Sequence, residues 1–239
     1  MEPRKKVKSR VYGIDHHESH WELQEWHLDI RQFHIYLTGE EIGYYADDSD
    51  RSEPGVEYRM SARFIKNIQI LSQIDLKRPI LIHMKTCGGD WQEGMAIYDT
   101  LWACPNPITI LSYTHARSMS SIILQAADKR VLMPNSYFMI HEGTLGFEGT
   151  TKVVHTMADW DKRIVRPTML NIYVEKLKQK GKFNRRAPER IREMLQEQMD
   201  KKEDVYLTPQ EAVEWGFADE VFDRNWAALT KFSRNFKKL

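Results

Sequence analysis

RPILIHMKTCGGDWQEGMAIYDTLWA, residues 78–103, is the stretch that decides the fold. Its first part, RPILIHMKT, is a short apolar run ended by the turn Cys87-Gly88-Gly89, which predicts a buried strand. From Asp90 onward Trp91, Met95, Tyr98, Leu101 and Trp102 recur at helical intervals, which predicts a helix with those residues on its inner face. The same order recurs on both sides. HIYLTGE (His34 to Glu40) is a short β-type run, and over 61–72 the apolar residues Ala62, Ile65, Ile68 and Leu71 repeat every three positions, a helical spacing. NPITILSYT (Asn106 to Thr114) reads as a further strand. The segment from Ser118 to Ala127 places Met119, Ile122, Ile123, Ala126 and Ala127 on a helix, and RVLM and YFMI return to strand. Strands alternating with helices predict an α/β domain with a largely parallel sheet.

The C-terminal third predicts helices. Val153 to Leu177 is long and amphipathic in places, with a break expected at Pro167, and Pro188 suits the first turn of a helix reaching about Met199. In LTPQEAVEWG, Thr208 can cap a helix that starts at Pro209, Glu211 closes a capping box and Gly216 supplies a left-handed exit before the short strand FADEVF. No internal repeat or low-complexity tract is present.

Bulk properties narrow the function. A chain of 239 residues with 41% hydrophobic content is sized for one large domain. Lys and Arg total 35 against 34 Asp and Glu, so no long-range field favours nucleic acid or an anionic membrane. Cys87 and Cys104 lack a CxxC spacing, which fits a reducing compartment and offers neither a zinc cage nor a disulfide framework. No apolar run approaches the roughly 18 to 20 residues of a membrane-spanning helix. MEPRKKVKSR is basic like the start of a signal peptide, but polar sequence follows where an apolar stretch is required, so a cytoplasmic protein is expected. Residues 1–30 read as a polar N-terminal extension and 44–59 as an exposed loop. His16, His17 and His20 in DHHESH have the composition of a metal cluster, against which stands the simpler reading of a polar tail.

Three features carry chemistry. Ser118 stands between a strand and an apolar helix, where orphan backbone N–H groups favour developing negative charge; that position suits a nucleophile and equally suits a plain helix cap. The glycine turn at residues 87–89 should open at the same carboxyl edge of the sheet. There the N–H groups of Gly88 and Gly89, with that of Met119, could hold an oxyanion. His141 ends the apolar strand that follows Pro134-Asn135 and should emerge at that edge too.

In this order, CGGDWQEGMAIYDTLWA, ARSMSS, LMPNSYFMIHEG and YLTPQEAVEWGFADEV resemble the proteolytic subunit of the Clp protease, over about Ile35 to Phe222. The spacing matches as well, with 29 positions from Gly89 to Ser118 and 23 from Ser118 to His141. The resemblance implies a ClpP/crotonase-like superhelix of repeated β-β-α units, a peptidase domain over 31–223 and a basic tail over 224–239. It implies Ser118 as nucleophile, His141 as general base, and Gly89 and Met119 as oxyanion-hole donors. It also implies Asp204 as third triad member, by its register just before YLTPQEAVEWG, with no metal or organic cofactor. The 63 positions from His141 to Asp204 exceed the family spacing, and the excess is assigned to 176–193. By the same resemblance the chain is a serine endopeptidase of unfolded polypeptides, of bacterial or phage origin, working through an acyl-enzyme inside a homo-oligomer of stacked heptameric rings. An AAA+ unfoldase is the implied partner.

The chain departs from the family pattern beside the chemistry. Cys87 stands for a proline, Arg117 for a small residue, Ser120 for a glycine, and Glu142-Gly143 for a Gln-Pro pair. Arg117 can favour acidic substrate groups or pair with a nearby carboxylate. Leu81 and His83 occupy positions where the family's unfoldase-docking surface carries aromatic residues, which argues against a standard ATPase partner. Two other readings stand beside the peptidase: a crotonase-type acyl-CoA enzyme, which needs the oxyanion hole but no triad, and a non-catalytic ring subunit.

Overall fold

A computed structural model describes residues 16–39, 55–144 and 146–231. The side chains of the DHHESH histidines, most of the proposed 44–59 loop and the end of the basic tail lie outside the described residues. The described residues open with helix α1 (His16–Trp26) and strands β1 (Leu28–Asp29) and β2 (His34–Thr38). There follow α2 (Tyr58–Ile74), β3 (Ile80–Lys85), α3 (Trp91–Ala103), β4 (Ile108–Ser112), β5 (His115–Arg117), α4 (Met119–Leu124), β6 (Lys129–Leu132) and β7 (Tyr137–Ile140). The C-terminal part holds α5 (Thr151–Trp160), a π-helical turn (Asp161–Val165), α6 (Arg166–Gln179), α7 (Pro188–Lys202), β8 (Val205–Leu207), α8 (Pro209–Trp215) and β9 (Glu220–Val221).

The main sheet runs β1-β2-β3-β4-β6-β9, and every pair in it is parallel except β1 with β2. This is the largely parallel α/β fold that the strand-helix alternation predicts. Side chains alternate across it with a period of two. Ile80, Ile82 and Met84 of β3, with Ile108 and Ile110 of β4, enter the principal core beneath α2 and α3. Leu81, Leu111 and Val131 point the other way, into a second apolar cluster closed by Phe222 and Leu229. Burial on both faces explains why these strands are continuous apolar runs rather than alternating ones.

Side-chain caps set the starts of several helices, that of α8 as the sequence places it. Asp90 Oδ1 accepts from Glu93 N at 2.9 Å to open α3, and Thr208 and Glu211 form the complete capping box of α8. Helix α2 begins at Tyr58 rather than 61, because the Glu57 carboxylate caps it through Arg59 N and Met60 N. The inner face of α3 is Gly94, Ile97, Tyr98 and Leu101; Trp102 is 62% exposed, because it lies off the arc centred on those four. The break expected at Pro167 is the π-helical turn just before it. Pro167 lacks an N–H and its ring crowds the preceding turn, so the ladder widens and Arg166 N bonds back five residues to Asp161 O.

On the outer face of the sheet His83 is buried, stacked on Tyr36 with centroids 4.4 Å apart. It hydrogen-bonds Tyr113 Oη at 2.8 Å and His34 Nδ1 at 3.1 Å. Burial, with His34 adding to it, pushes the His83 imidazole down to about 3, and burial also lowers His34. A histidine kept neutral in the fold takes up its proton more readily when unfolded, so the fold loses stability as pH falls below the ordinary imidazole range. Thermal melting is expected to show a decline from about pH 6.5 towards pH 4, worth on the order of 2 to 3 kcal/mol from His83 and reduced in His83→Leu. A pH-independent wild-type melting temperature over that range would contradict it.

Candidate active site

A second, three-stranded sheet builds the site. In it β5 and β7 are parallel, pairing His115 with Tyr137 and Arg117 with Met139, while β8 runs antiparallel to β7 and pairs Ile140 with Val205. Two parallel strands end at one edge and the antiparallel strand begins there. The residues just past those ends are Ser118, His141 and Asp204. Extending the β7–β8 register by one rung sets His141 opposite Asp204, and their side chains meet with Nδ1 at 3.3 Å from Oδ1.

Each of the three is held from behind. Asp204 leaves α7 through a tight turn at Glu203 (φ 60°, ψ −68°), in which Asp204 N bonds Lys202 O at 2.7 Å. Its second oxygen accepts from Tyr206 Oη at 3.1 Å. His141 Nδ1 thus faces the carboxylate, while its Nε2 is buried without a hydrogen-bond partner, so no hydrogen bond joins it to the Ser118 hydroxyl in this structure.

Ser118 adopts φ 51° and ψ −133°, a region costly for a residue with a Cβ, by about 1–3 kcal/mol. Its hydroxyl makes no capping bond, so the plain helix-cap reading is not what the side chain does. The neighbouring serines hold the turn instead. Ser120 Oγ accepts from Arg117 N at 2.9 Å and donates to Arg117 O at 2.7 Å. Ser121 Oγ donates to Ser118 O at 2.6 Å and takes a hydrogen bond from the buried Tyr173 hydroxyl. The serine that departs from the family's glycine is therefore structural. Arg117 lies against the Cys87 thiol and the Tyr137 phenol, neighbours that the two sequence readings of it did not include.

The glycine turn abuts this elbow. A Cβ on Gly88 would lie 2.7 Å from both Met119 N and the Ser118 Cβ, and one on Gly89 would lie 2.5 Å from Val56 N and O. Val56 N bonds Gly88 O at 2.6 Å and Asp90 N bonds Val56 O at 2.9 Å. The intervening Gly89 N–H therefore faces away from Val56, as alternate groups of an extended segment must. Gly89, Ser118, Met119 and His141 all border one cavity of about 1240 Å³. Trp91, Met95, Ile122 and Met169 give it apolar walls. It is larger than a usual small-molecule pocket.

Several functional neighbours carry no sequence signal. Tyr206 behind Asp204 is one, and the pairing of Asp161 with Arg166 is another, since residues five apart face each other only across a π-helical turn. Leu81 and His83 are both covered, the first by Phe222 and Leu229 and the second by Tyr36, Tyr113 and Trp226. Among the described residues no group of three or more His, Cys, Asp or Glu side chains could hold a metal, and no helix is long and apolar enough to cross a membrane.

Comparison with known proteins agrees with this geometry. The family model described as Clp protease matches residues 52–225. The chain is 29% identical over 173 residues to the ATP-dependent Clp protease proteolytic subunit of Deinococcus radiodurans, covering 71% of this chain and 77% of that protein. It is 31% identical over 161 residues to the ATP-dependent Clp protease proteolytic subunit 3 of Streptomyces coelicolor, covering 66% and 68%. The matched span contains the glycine turn, the strained serine and both partners of the His141–Asp204 contact, and the chain belongs to the Clp protease family.

Proposed function

We propose that the protein is a serine endopeptidase that cleaves unfolded polypeptides inside a chamber of its own subunits. What supports this is the single sheet edge that Ser118, His141 and Asp204 flank, with His141 against Asp204 and both Ser118 and the unpartnered His141 Nε2 on one cavity. In the proposed reaction Ser118 Oγ attacks a peptide carbonyl as its proton passes to Nε2. Asp204 fixes the tautomer and stabilises the imidazolium, while the N–H groups of Gly89 and Met119 hold the oxyanion. The imidazolium then protonates the leaving amine. Water activated by the same histidine hydrolyses the acyl-enzyme and regenerates the Ser118 hydroxyl. The scheme uses no metal or organic cofactor.

The chamber is supported by family membership and by α5. Val153, Met157 and Trp160 of α5 and Ile164 of the π-helical turn are exposed, Met157 and Trp160 also bordering the cavity, and α5 itself buries no residue. A short helix without a packed face is marginal alone and gains its stability from a neighbour, here a second copy of the chain in a stacked-ring particle. Wild type is expected to form a large homo-oligomer by light scattering and to cut short unstructured peptides without ATP while leaving a stably folded protein intact. Val153→Glu should shift the particle to smaller species, because its carboxylate would be buried without a partner. A standard bacterial Clp ATPase should stimulate it weakly, since Leu81 and His83 are covered. A monomer that degrades folded protein unaided would overturn the chamber.

A further inference from the structure

The cavity that Ser118 borders carries an ion triad that the hydrolytic scheme does not use. Arg166 Nε donates to Asp161 Oδ2 at 2.8 Å, and its Nη1 donates to the carboxylate of Glu142. The Asp161 side chain is 6% exposed, which makes it a fixed anchor. Glu142 directly follows His141. All three residues line the cavity that holds Ser118.

The local structure is arranged for this contact. In a regular α-helix residues five apart point to different faces, but the π-helical turn Asp161–Val165 brings Asp161 and Arg166 to one side. On the other wall β7 ends at Ile140, and the described residues between Glu142 and the start of α5 at Thr151 have no regular structure. Gly143 follows with φ 91° and open space where a Cβ would be, so packing at that residue does not fix the path. Among the described residues of 142–149, the Glu142 side chain is the one with a hydrogen-bond partner across the cavity. A guanidinium is a planar fork that can hold two carboxylates at a set separation, which a lysine cannot.

We propose that Arg166 is a positioning residue, which clamps Glu142, and through it the adjoining His141, to the α5–α6 arm at the spacing that attack by Ser118 requires. The proposal rests on the hydrolase reading. The charged group against His141 is Asp204, just before β8, and the charged groups on the cavity that His141 borders are Glu142, Arg166, Asp161 and Asp90, the cap of α3. Arg166→Gln leaves Glu142 unbalanced beside the proposed base, and a nearby negative charge favours the imidazolium. The acid limb of the pH–rate profile then moves to higher pH.

The test is steady-state hydrolysis of an unstructured peptide by the full-length assembled protein, from pH 5 to 9. Arg166→Gln should lower kcat by about 10- to 100-fold, the usual loss for small misplacement of a reacting group, with KM changed less than about threefold. Its acid limb should move up. Arg166→Lys keeps the charge but not the fork, so it should return the limb to its wild-type position and recover part of kcat. Because Arg166→Gln strands the buried Asp161 carboxylate, Asp161→Asn/Arg166→Gln is made as well, with melting temperature as the fold check, and it should show the same loss in kcat. Wild-type kcat and an unmoved acid limb in that folded double variant would overturn the positioning role while the hydrolase reading stands. A wild type that hydrolyses no peptide would overturn both.

Discussion

Ser118→Ala is expected to lower peptide turnover by on the order of 10⁶ with assembly and melting temperature nearly unchanged. The size of the loss separates the two readings of this serine. A helix cap replaced by alanine costs about 1 kcal/mol of stability and leaves chemistry intact. A nucleophile replaced by alanine leaves stability intact and removes the covalent route. The Ser118 hydroxyl makes no capping bond, so little stability is at stake, and alanine keeps the Cβ that already tolerates φ 51°. The turn also keeps its supports, because Ser120 and Ser121 bind the backbone of residues 117 and 118 rather than the Ser118 side chain. Purified Ser118→Ala with wild-type turnover would contradict the mechanism.

Asp204→Asn is the second large effect, expected to cost about 10⁴ in kcat, whereas Asp200→Asn should be nearly silent. The His141 Nδ1–H needs an acceptor at 3.3 Å, and a carboxylate fills that role with either oxygen. An amide offers one oxygen, which Tyr206 Oη can claim in place of the Asp204 Oδ2 it now binds, and turns an N–H toward the ring. The imidazole then takes the wrong tautomer, with its proton on the nitrogen that should receive one. Asp200 lies exposed on α7, off the sheet edge. Peptide hydrolysis by the two variants ranks them, and the reverse ranking would place the third member of the triad elsewhere.

The main sheet was legible because its strands are buried on both faces and so write themselves as apolar runs, α3 because of its apolar spacing, and α8 because its capping box is complete at Thr208 and Glu211. The second sheet was not. Strands β5 and β8 have three residues each, too few to show a period, and β5 falls in a stretch that reads as strand end and helix start. Ser118 and His141 could be placed at strand ends from the sequence. Asp204 could not be chosen from its acidic neighbours by pattern, because its selection depends on the β7–β8 register and on the tight turn at Glu203. Trp102 was assigned to the inner face because a large apolar residue outweighs a small angular error in a pattern, while the helix places it in solvent. The Glu142–Arg166–Asp161 triad escaped for a related reason: its spacing has meaning only once the π-helical turn exists.

Reaction of the wild-type particle with a fluorophosphonate, followed by peptide mass mapping, tests the central claim most directly. The probe requires a serine made nucleophilic by its neighbours, whatever the natural substrate. The account predicts a single modified residue, Ser118, with labelling slowed strongly in Asp204→Asn and lost in Ser118→Ala. A particle that is folded and assembled yet unlabelled at Ser118, or labelled equally well in Asp204→Asn, would contradict it.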